Sequence, residues 1–173
     1  ISNCFSDNSF DFNNASSGAV SYTWDFNDGN TSTAINPSHQ YNLTGAFNVT
    51  LVATNSSGCS HDTTMGPIHV YPNPNLLANI DTNLLCDSNS TVNFTGSSSN
   101  TSIANWSWIT GDGNISNTIV GNLAYNYNAT GIFNPTLLAT STNGCIDSVA
   151  IGTINIVELK NYTITSSSNS GCP

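Results

Sequence analysis

The feature that most constrains this chain is an internal repeat. A set of four residues recurs 86 positions later, with Tyr41, Gly45, Phe47 and Cys59 returning as Tyr127, Gly131, Phe133 and Cys145. Earlier motifs recur at shorter spacings, 84 residues for Trp24 and 82 residues for the segment 9–12. The spacing grows only in the connections between motifs, which is expected of two copies of one fold joined in tandem.

The repeat also predicts the domain organisation. We expect one domain in residues 1–73 and a second in residues 74–158, meeting at a short proline-containing linker. Cys172 follows Cys86 by 86 residues. Residues 159–173 are therefore expected to be the first strand of a following repeat.

Each copy has the sequence pattern of short β-strands. Valine, phenylalanine, tyrosine and threonine alternate with polar residues at period two, and the first copy has four such segments: residues 9–14, 20–26, 47–55 and 63–71. Asp28-Gly29 and Asp112-Gly113 provide turn residues that tolerate positive φ. Neither copy has a helical stripe. The prediction is an all-β chain of tandem β-sandwich domains.

The charge of the chain excludes two classes of partner. Lys160 is the single basic residue, against ten acidic residues and a net charge of −9. Binding to nucleic acid or to an anionic membrane surface requires clustered lysine and arginine, so neither partner is expected. The chain also has no run of 18 apolar residues that could span a bilayer.

Three motifs of the first copy resemble those of the polycystic kidney disease (PKD) domain. They are the segment Trp24-Asp25-Phe26-Asn27-Asp28-Gly29, the segment Pro37-Ser38-His39-Gln40-Tyr41, and the strand that begins at Gly45. The second copy keeps Trp108 and the Asp-Gly turn but has Tyr125 in place of the histidine. The cysteine placement resembles PKD arrays of Bacteroidetes-type surface and secreted proteins. The resemblance implies a seven-stranded immunoglobulin-like sandwich that serves as a spacer or adhesion module.

The histidines do not form a recognisable catalytic set. His39, His61 and His69 are the side chains that ordinarily titrate near neutral pH. No local motif places a serine or cysteine nucleophile against any of them. We therefore expect a protein without a catalytic centre.

One loop has the composition of a cation site. Asp25, Asn27 and Asp28 supply oxygen ligands of the kind that Ca²⁺ prefers, and the PKD resemblance adds weight to calcium there. The alternative is that Asp28 fixes a turn while Asp25 accepts backbone N–H groups. The second copy offers only Asp112, so calcium is expected at Asp25 and Asp28, and no other cofactor is expected.

The five cysteines indicate disulfides, because the chain has neither CxxC nor zinc-type spacing. Two pairings are open. Pairing within copies would join Cys4 to Cys59 and Cys86 to Cys145. A cross-domain bond would instead join Cys4 to Cys145, since the two cysteines of one copy are expected at opposite ends of a sandwich and a bridge requires Cα atoms within about 7 Å.

Two further positions resemble a short O-glycosylation motif of Bacteroidetes proteins. Thr63 follows Asp62 and Ser148 follows Asp147, and each pair lies just after the second cysteine of its copy. We therefore expect Thr63 and Ser148 to be candidate glycosylation sites.

These observations favour an extracellular structural or adhesive segment, a stalk or filament of a large repeat protein. Its expected partners are neighbouring repeats or subunits of the same protein, with surface carbohydrate or protein ligands as further candidates. The alternative is a non-catalytic spacer module of a secreted polysaccharide- or protein-degrading enzyme.

Overall fold

A computed structural model describes residues 1–86 and 89–158 of the chain. Apart from one short 3-10 helix at Phe5–Asp7, its regular structure is β-strand throughout, which confirms the predicted fold class. Across this described part, no helix has the length and apolar character needed to cross a membrane. Residues 159–173, where a third repeat was predicted, lie outside the described residues.

The first domain pairs a five-stranded sheet with a two-stranded sheet. Its strands are β1 (Ser2–Cys4), β2 (Ser9–Asp11), β3 (Ser21–Asp25), β4 (Thr31–Ser32), β5 (Ser38–Gln40), β6 (Gly45–Thr54) and β7 (Ser60–Tyr71). The larger sheet has the order β1-β7-β6-β3-β4, and β2 pairs with β5. β1 runs parallel to the end of β7, whereas the other pairings in the domain are antiparallel.

The second domain follows the same plan. Its strands are β8 (Leu76–Ile80), β9 (Leu84–Cys86), β10 (Thr91–Ser98), β11 (Ile103–Ile109), β12 (Ile115–Thr118), β13 (Asn122–Asn126), β14 (Gly131–Phe133), β15 (Thr136–Ser141), β16 (Ile146–Ala150) and β17 (Ile154–Val157). The sheets are β13-β10-β8, β12-β11-β15-β16 and β14-β17-β9. β8 has no counterpart among the described residues of the first domain.

The long hairpin of the first domain is divided in the second. β6 and β7 are continuous, whereas the equivalent strands are split into β14 with β15 and β16 with β17. Pro135 lies at the first split and has no N–H to donate to a sheet. Gly152 lies at the second split with a φ of +102°, a conformation that favours glycine. Pro135 explains the first interruption, whereas Gly66, at the position equivalent to Gly152, has a φ of +138° within the continuous β7.

Each domain closes its own aromatic core. Trp24 is 3% exposed and packs on Phe12 with ring centroids 5.7 Å apart, and Trp108 is fully buried against Phe94 at 5.2 Å. The period-two pattern places both tryptophans on the inner face of their sheets. The buried residues form two separate clusters, one in each domain. Each sandwich is thus stabilised mainly by its own hydrophobic burial.

A close backbone crossing in the second domain requires glycine. The N–H of Gly96, in β10, donates to the carbonyl of Gly121 at 2.6 Å. A Cβ atom at Gly121 would overlap the carbonyl group of Gly96. The contacting atoms belong to the backbone and cannot move aside without disturbing the sheet. The crossing therefore requires a residue without a side chain at position 121.

We predict that Gly121→Ala destabilises the second domain by roughly 1–3 kcal/mol through steric overlap. The measurement is urea unfolding. Gly113→Ala is the control, because Gly113 has open space around its Cβ position and only the strain of a φ of +94°. A smaller loss for Gly121→Ala than for Gly113→Ala would contradict the argument.

Candidate functional site

The Asp-Gly turn after β3 is held by one carboxylate. Asp28 accepts hydrogen bonds from the backbone N–H and the side-chain amide of Asn30, each at 3.0 Å. Its Oδ2 atom also lies 2.8 Å from His39 Nε2. The His39 side chain is 12% exposed and that of Asp28 is 7% exposed. The carboxylate thus ties the turn to β5, a strand of the other sheet.

The second domain builds the same contact from a different side chain. Asp112 accepts from the backbone and amide of Asn114, and the hydroxyl of Tyr125 donates to its Oδ2 at 2.6 Å. Tyr125 occupies the position of His39 in the repeat. A phenol therefore replaces an imidazole without loss of the link between the turn and the facing strand.

In each domain a tyrosine hydroxyl also donates a hydrogen bond to the backbone next to the turn. The hydroxyl of Tyr41 donates to the carbonyl of Phe26 at 3.2 Å, and the hydroxyl of Tyr127 donates to the carbonyl of Thr110 at 2.7 Å. His39 itself stacks on Phe26 with ring centroids 4.0 Å apart. Sequence reasoning did not identify this network. The signal was present, because His39 and Tyr41 are two residues apart, the spacing that places side chains on the same face of an extended chain.

These environments shift the pKa values of the acids and phenols. Burial alone would raise the pKa of Asp28, but the His39 and Asn30 hydrogen bonds outweigh it and hold that pKa below its usual range. For Asp112, burial is again outweighed, by bonds from Thr110, Tyr125 and Asn114, and its pKa falls to about 2. Burial, with a contribution from Asp28, raises the pKa of Tyr41 to about 12. Both carboxylates are thereby kept ionised.

The histidines have structural or exposed positions. His39 is packed between Phe26 and Tyr41, and its role is taken by a tyrosine in the second domain. His61 is exposed, and His69 stacks on Tyr71. Because Tyr125 makes the equivalent contact with Asp112 in the second domain, the Asp28–His39 pair is explained as a structural contact of the fold.

The predicted calcium ligands are engaged by protein donors. Oδ1 of Asp25 accepts the backbone N–H of Asn27 at 2.8 Å, and both oxygens of Asp28 accept bonds as described above. This is the turn-fixing arrangement that the sequence left open as the alternative. Within residues 1–86 and 89–158, no three His, Cys, Asp or Glu side chains group in a way that could hold a metal ion. Calcium at Asp25 and Asp28 stays a prediction.

A disulfide joins the two domains. Cys4, at the end of β1, is bonded to Cys145, in the hairpin between β15 and β16, with Cα atoms 5.4 Å apart. Cys145 is fully buried. The bond links residues separated by 141 positions in the sequence. It is the cross-domain pairing of the two that the sequence left open.

Pairing within copies does not occur among the described residues, where Cys59 and Cys86 are exposed and form no disulfide. The reason is that the two cysteines of the first domain lie at opposite ends of β7. Cys59 immediately precedes β7, whereas Cys4 lies opposite Tyr71 at the other end of that strand. Twelve residues of strand separate the two ends by about 40 Å, far beyond the reach of a disulfide.

The linker adds polar contacts beside this bond. Asn73 accepts the backbone N–H of Ser6 through its side chain at 3.3 Å, and its carbonyl accepts the side-chain amide of Asn100 at 2.9 Å. One linker residue therefore contacts both domains. Asn73 and the Cys4–Cys145 disulfide therefore both connect the two domains at their junction.

The two predicted glycosylation positions have equivalent surroundings. Thr63 is exposed on β7 and Ser148 is exposed on β16. At Ser148 the strand is the edge of its sheet, and Thr63 lies on a part of β7 that pairs only with β6. Both hydroxyl groups are therefore accessible, and their glycosylation stays a prediction.

Comparison with known proteins identifies both halves of the chain. A family model described as PKD domain matches residues 6–70 and 72–156. Over 39 residues the chain is 49% identical to collagenase ColQ1 of Bacillus cereus (strain Q1) and 51% identical to a microbial collagenase of Vibrio alginolyticus. This segment is 22% of the chain and 4% and 5% of those collagenases.

Among solved structures, the fibronectin(III)-like modules of Clostridium thermocellum CbhA align with 91% of this chain and 91% of their own, at 12% identity and a TM-score of 0.46.

The repeat predicts how His39 can be replaced. We expect His39→Tyr to change the free energy of unfolding by no more than about 1 kcal/mol, because Tyr125 already fills this role. We expect His39→Ala to cost about 2–3 kcal/mol, since it removes a packed ring and a partner of Asp28. Urea unfolding of the two variants measures the difference, and equal losses would refute the equivalence.

The pKa of Asp112 predicts an acid-sensitive contribution. Folding lowers this pKa from 3.8 to about 2, so the stabilisation is complete above about pH 4 and is lost as the pH falls towards 2. Asp112→Asn should cost about 1–2 kcal/mol at pH 6, and this gap should narrow between pH 4 and pH 2.

Asp62→Asn serves as the control for loss of charge, because Asp62 is exposed. A gap between the parent and Asp112→Asn that stays constant down to pH 2 would count against the assignment.

Proposed function

This chain belongs to the PKD domain family, and from that premise we propose that it serves as a structural segment, a stalk or filament section, of a larger extracellular repeat protein. The single observation that carries the proposal is the Cys4–Cys145 disulfide between the two domains. A bond inside a domain would stabilise that domain. A bond across a junction restrains how one domain moves against the next.

The contacts around the disulfide support the same role. Asn73 contacts Ser6 of the first domain and Asn100 of the second, so the short linker is fixed on both sides. Interfaces between domains of one chain otherwise permit relative motion unless they are large and hydrophobic. A covalent bond beside a fixed linker supports a stiff connection between the sandwiches.

The position of the disulfide also determines how the chain responds to tension. A force applied to the two termini enters at Cys4 and can pass through the sulfur bridge directly to Cys145. The intervening residues form a closed covalent loop and carry no tension along their backbone. A stalk that transmits pulling forces benefits from this arrangement, because the residues between the two cysteines cannot be drawn out under load.

We predict that the oxidised chain, pulled from its termini by atomic force microscopy, lacks the extension stored between Cys4 and Cys145. Reduction should restore it. The separation of 141 residues corresponds to roughly 460–510 Å of extended chain. The Cys4→Ser/Cys145→Ser double variant should reproduce the reduced trace without reductant.

Full-length unfolding of both domains in the oxidised parent chain would contradict the load-bearing role. The control is the Cys59→Ser/Cys86→Ser variant, which keeps the cross-domain disulfide and should behave as the parent does.

The disulfide supports an extracellular location, because such bonds persist in oxidising compartments and are rare in the cytosol. The similarity to collagenases covers a short segment but points the same way. Neighbouring repeats or subunits are the partners that this function requires, and carbohydrate or protein ligands at the cell surface are a further part of the proposal.

The 39-residue similarity to two collagenases favours a second candidate, a non-catalytic spacer module of a secreted degrading enzyme. Co-sedimentation of the chain with insoluble collagen tests this candidate, because specific retention supports an accessory module that contacts the substrate of its enzyme, whereas a stalk segment is not expected to be retained.

A further inference from the structure

The junction between the two domains uses one cysteine of each domain and leaves the other cysteine of each exposed. Cys86 holds the position in the second domain that Cys4 holds in the first. Cys59 holds the position in the first domain that Cys145 holds in the second. Cys59 and Cys86, which form no disulfide in the structure, are therefore a hairpin cysteine and a strand-end cysteine, as Cys145 and Cys4 are.

Cys86 has the backbone setting of Cys4. Cys4 ends β1 and lies opposite Tyr71 in parallel register, and Cys86 ends β9 and lies opposite Val157 in parallel register. Tyr71 and Val157 are the last residues of the final strands of their domains. Each cysteine thus lies where the chain leaves its sandwich.

Cys59 has the backbone setting of Cys145. In the first domain the N–H of Asn55 donates to the carbonyl of Cys59 at 2.9 Å, and the N–H of Cys59 donates to the side-chain oxygen of Asn55. In the second domain Ser141 makes the same pair of bonds with Cys145, at 2.8 and 3.1 Å. The two hairpins therefore present their cysteines in the same way.

The burial of the two hairpin cysteines differs. Cys145 is fully buried, whereas Cys59 is exposed on the same type of turn. Cys145 is bonded to the end of the first domain, and no described residue plays that part for Cys59. The exposed thiol thus has the position of a bonded one without its partner domain.

The two hairpins are alike in charge. Residues 55–60 and 141–146 contain no acidic or basic side chain, although the chain has a net charge of −9. The Cys59 hairpin therefore adds no more charge to a contact than the Cys145 hairpin does.

We propose that the junction between the two domains is repeated, so that Cys86 forms a disulfide with the hairpin cysteine of a further PKD repeat, the equivalent of Cys59. A second copy of this chain is the probe for such a repeat, because its Cys59 hairpin has the backbone setting of the bonded Cys145. The inference extends the proposed structural function but is tested through different cysteines. A failure of the force experiment, which concerns Cys4 and Cys145, would leave this one standing.

The bond forms by thiol–disulfide exchange with a small disulfide such as oxidised glutathione. The thiolate of Cys86 attacks one sulfur of glutathione disulfide, forming a mixed disulfide and releasing one glutathione thiolate. The thiolate of Cys59 then attacks the protein sulfur and releases the second glutathione. Two cysteine thiols are oxidised and one glutathione disulfide is reduced to two thiols.

The test uses two single variants of the full chain, Cys59→Ser and Cys86→Ser, each in a Cys172→Ser background that removes the fifth cysteine. Each variant keeps one of the two cysteines that form the proposed disulfide. They are incubated separately and as a mixture in a glutathione redox buffer, then analysed by non-reducing electrophoresis and peptide mass mapping. Mapping also verifies that Cys4–Cys145 is intact in every sample.

We expect the mixture to give a covalent dimer that contains a Cys59–Cys86 peptide, in at least tenfold excess over dimer in either variant alone. The chain with both cysteines should give a ladder of multimers. Symmetric Cys59–Cys59 or Cys86–Cys86 dimers in comparable yield, or no covalent dimer in the mixture, would overturn the proposal.

Discussion

Burial of aromatic side chains between two sheets is the interaction on which the rest of this structure depends. With a single basic residue in the chain, surface ion pairs cannot stabilise the sandwiches, and the one acid–base contact among the described residues joins Asp28 to His39. Trp24 and Trp108 instead anchor separate cores. The polar network of Asp28, and its equivalent at Asp112, is built around those cores and fixes the turns that bring the sheets together.

The repeat allows each feature to be compared with its own equivalent. His39 and Tyr125 differ in chemistry but make the same contact with a turn carboxylate. Cys59 and Cys145 occupy the same turn but differ in burial. The first comparison shows that either an imidazole or a phenol can make the contact between the turn and the facing strand. The second comparison shows that the burial of Cys145 comes from the neighbouring domain and not from the conformation of its hairpin.

Much of the fold could be predicted from the sequence because its causes are local. Period-two alternation and the Asp-Gly turns indicate strands, and the motif around Trp24 carries the family resemblance. The role of Asp28 in a turn was also open to prediction, since the acceptor and its backbone donors are neighbours in the chain. The strand β8 was missed, as was the contact between Asp28 and His39, because both depend on which strands pair with or face each other.

The disulfide could not be assigned from cysteine spacing alone. Spacing shows that Cys4 and Cys59 belong to one copy, but it does not show that they lie at opposite ends of β7. That separation follows from the parallel pairing of β1 with the last residues of β7. The place along β7 at which one short edge strand pairs therefore decides which of the described cysteines can bond.

The closed loop between Cys4 and Cys145 has a consequence for survival outside the cell. Exposed turns are the usual sites of proteolytic nicking, and this chain has many. A protease that cuts any one peptide bond between the two cysteines leaves both fragments attached through the sulfur bridge. Release of a fragment requires a second cut within the loop or a reductant. A nicked molecule thus remains in one covalent piece.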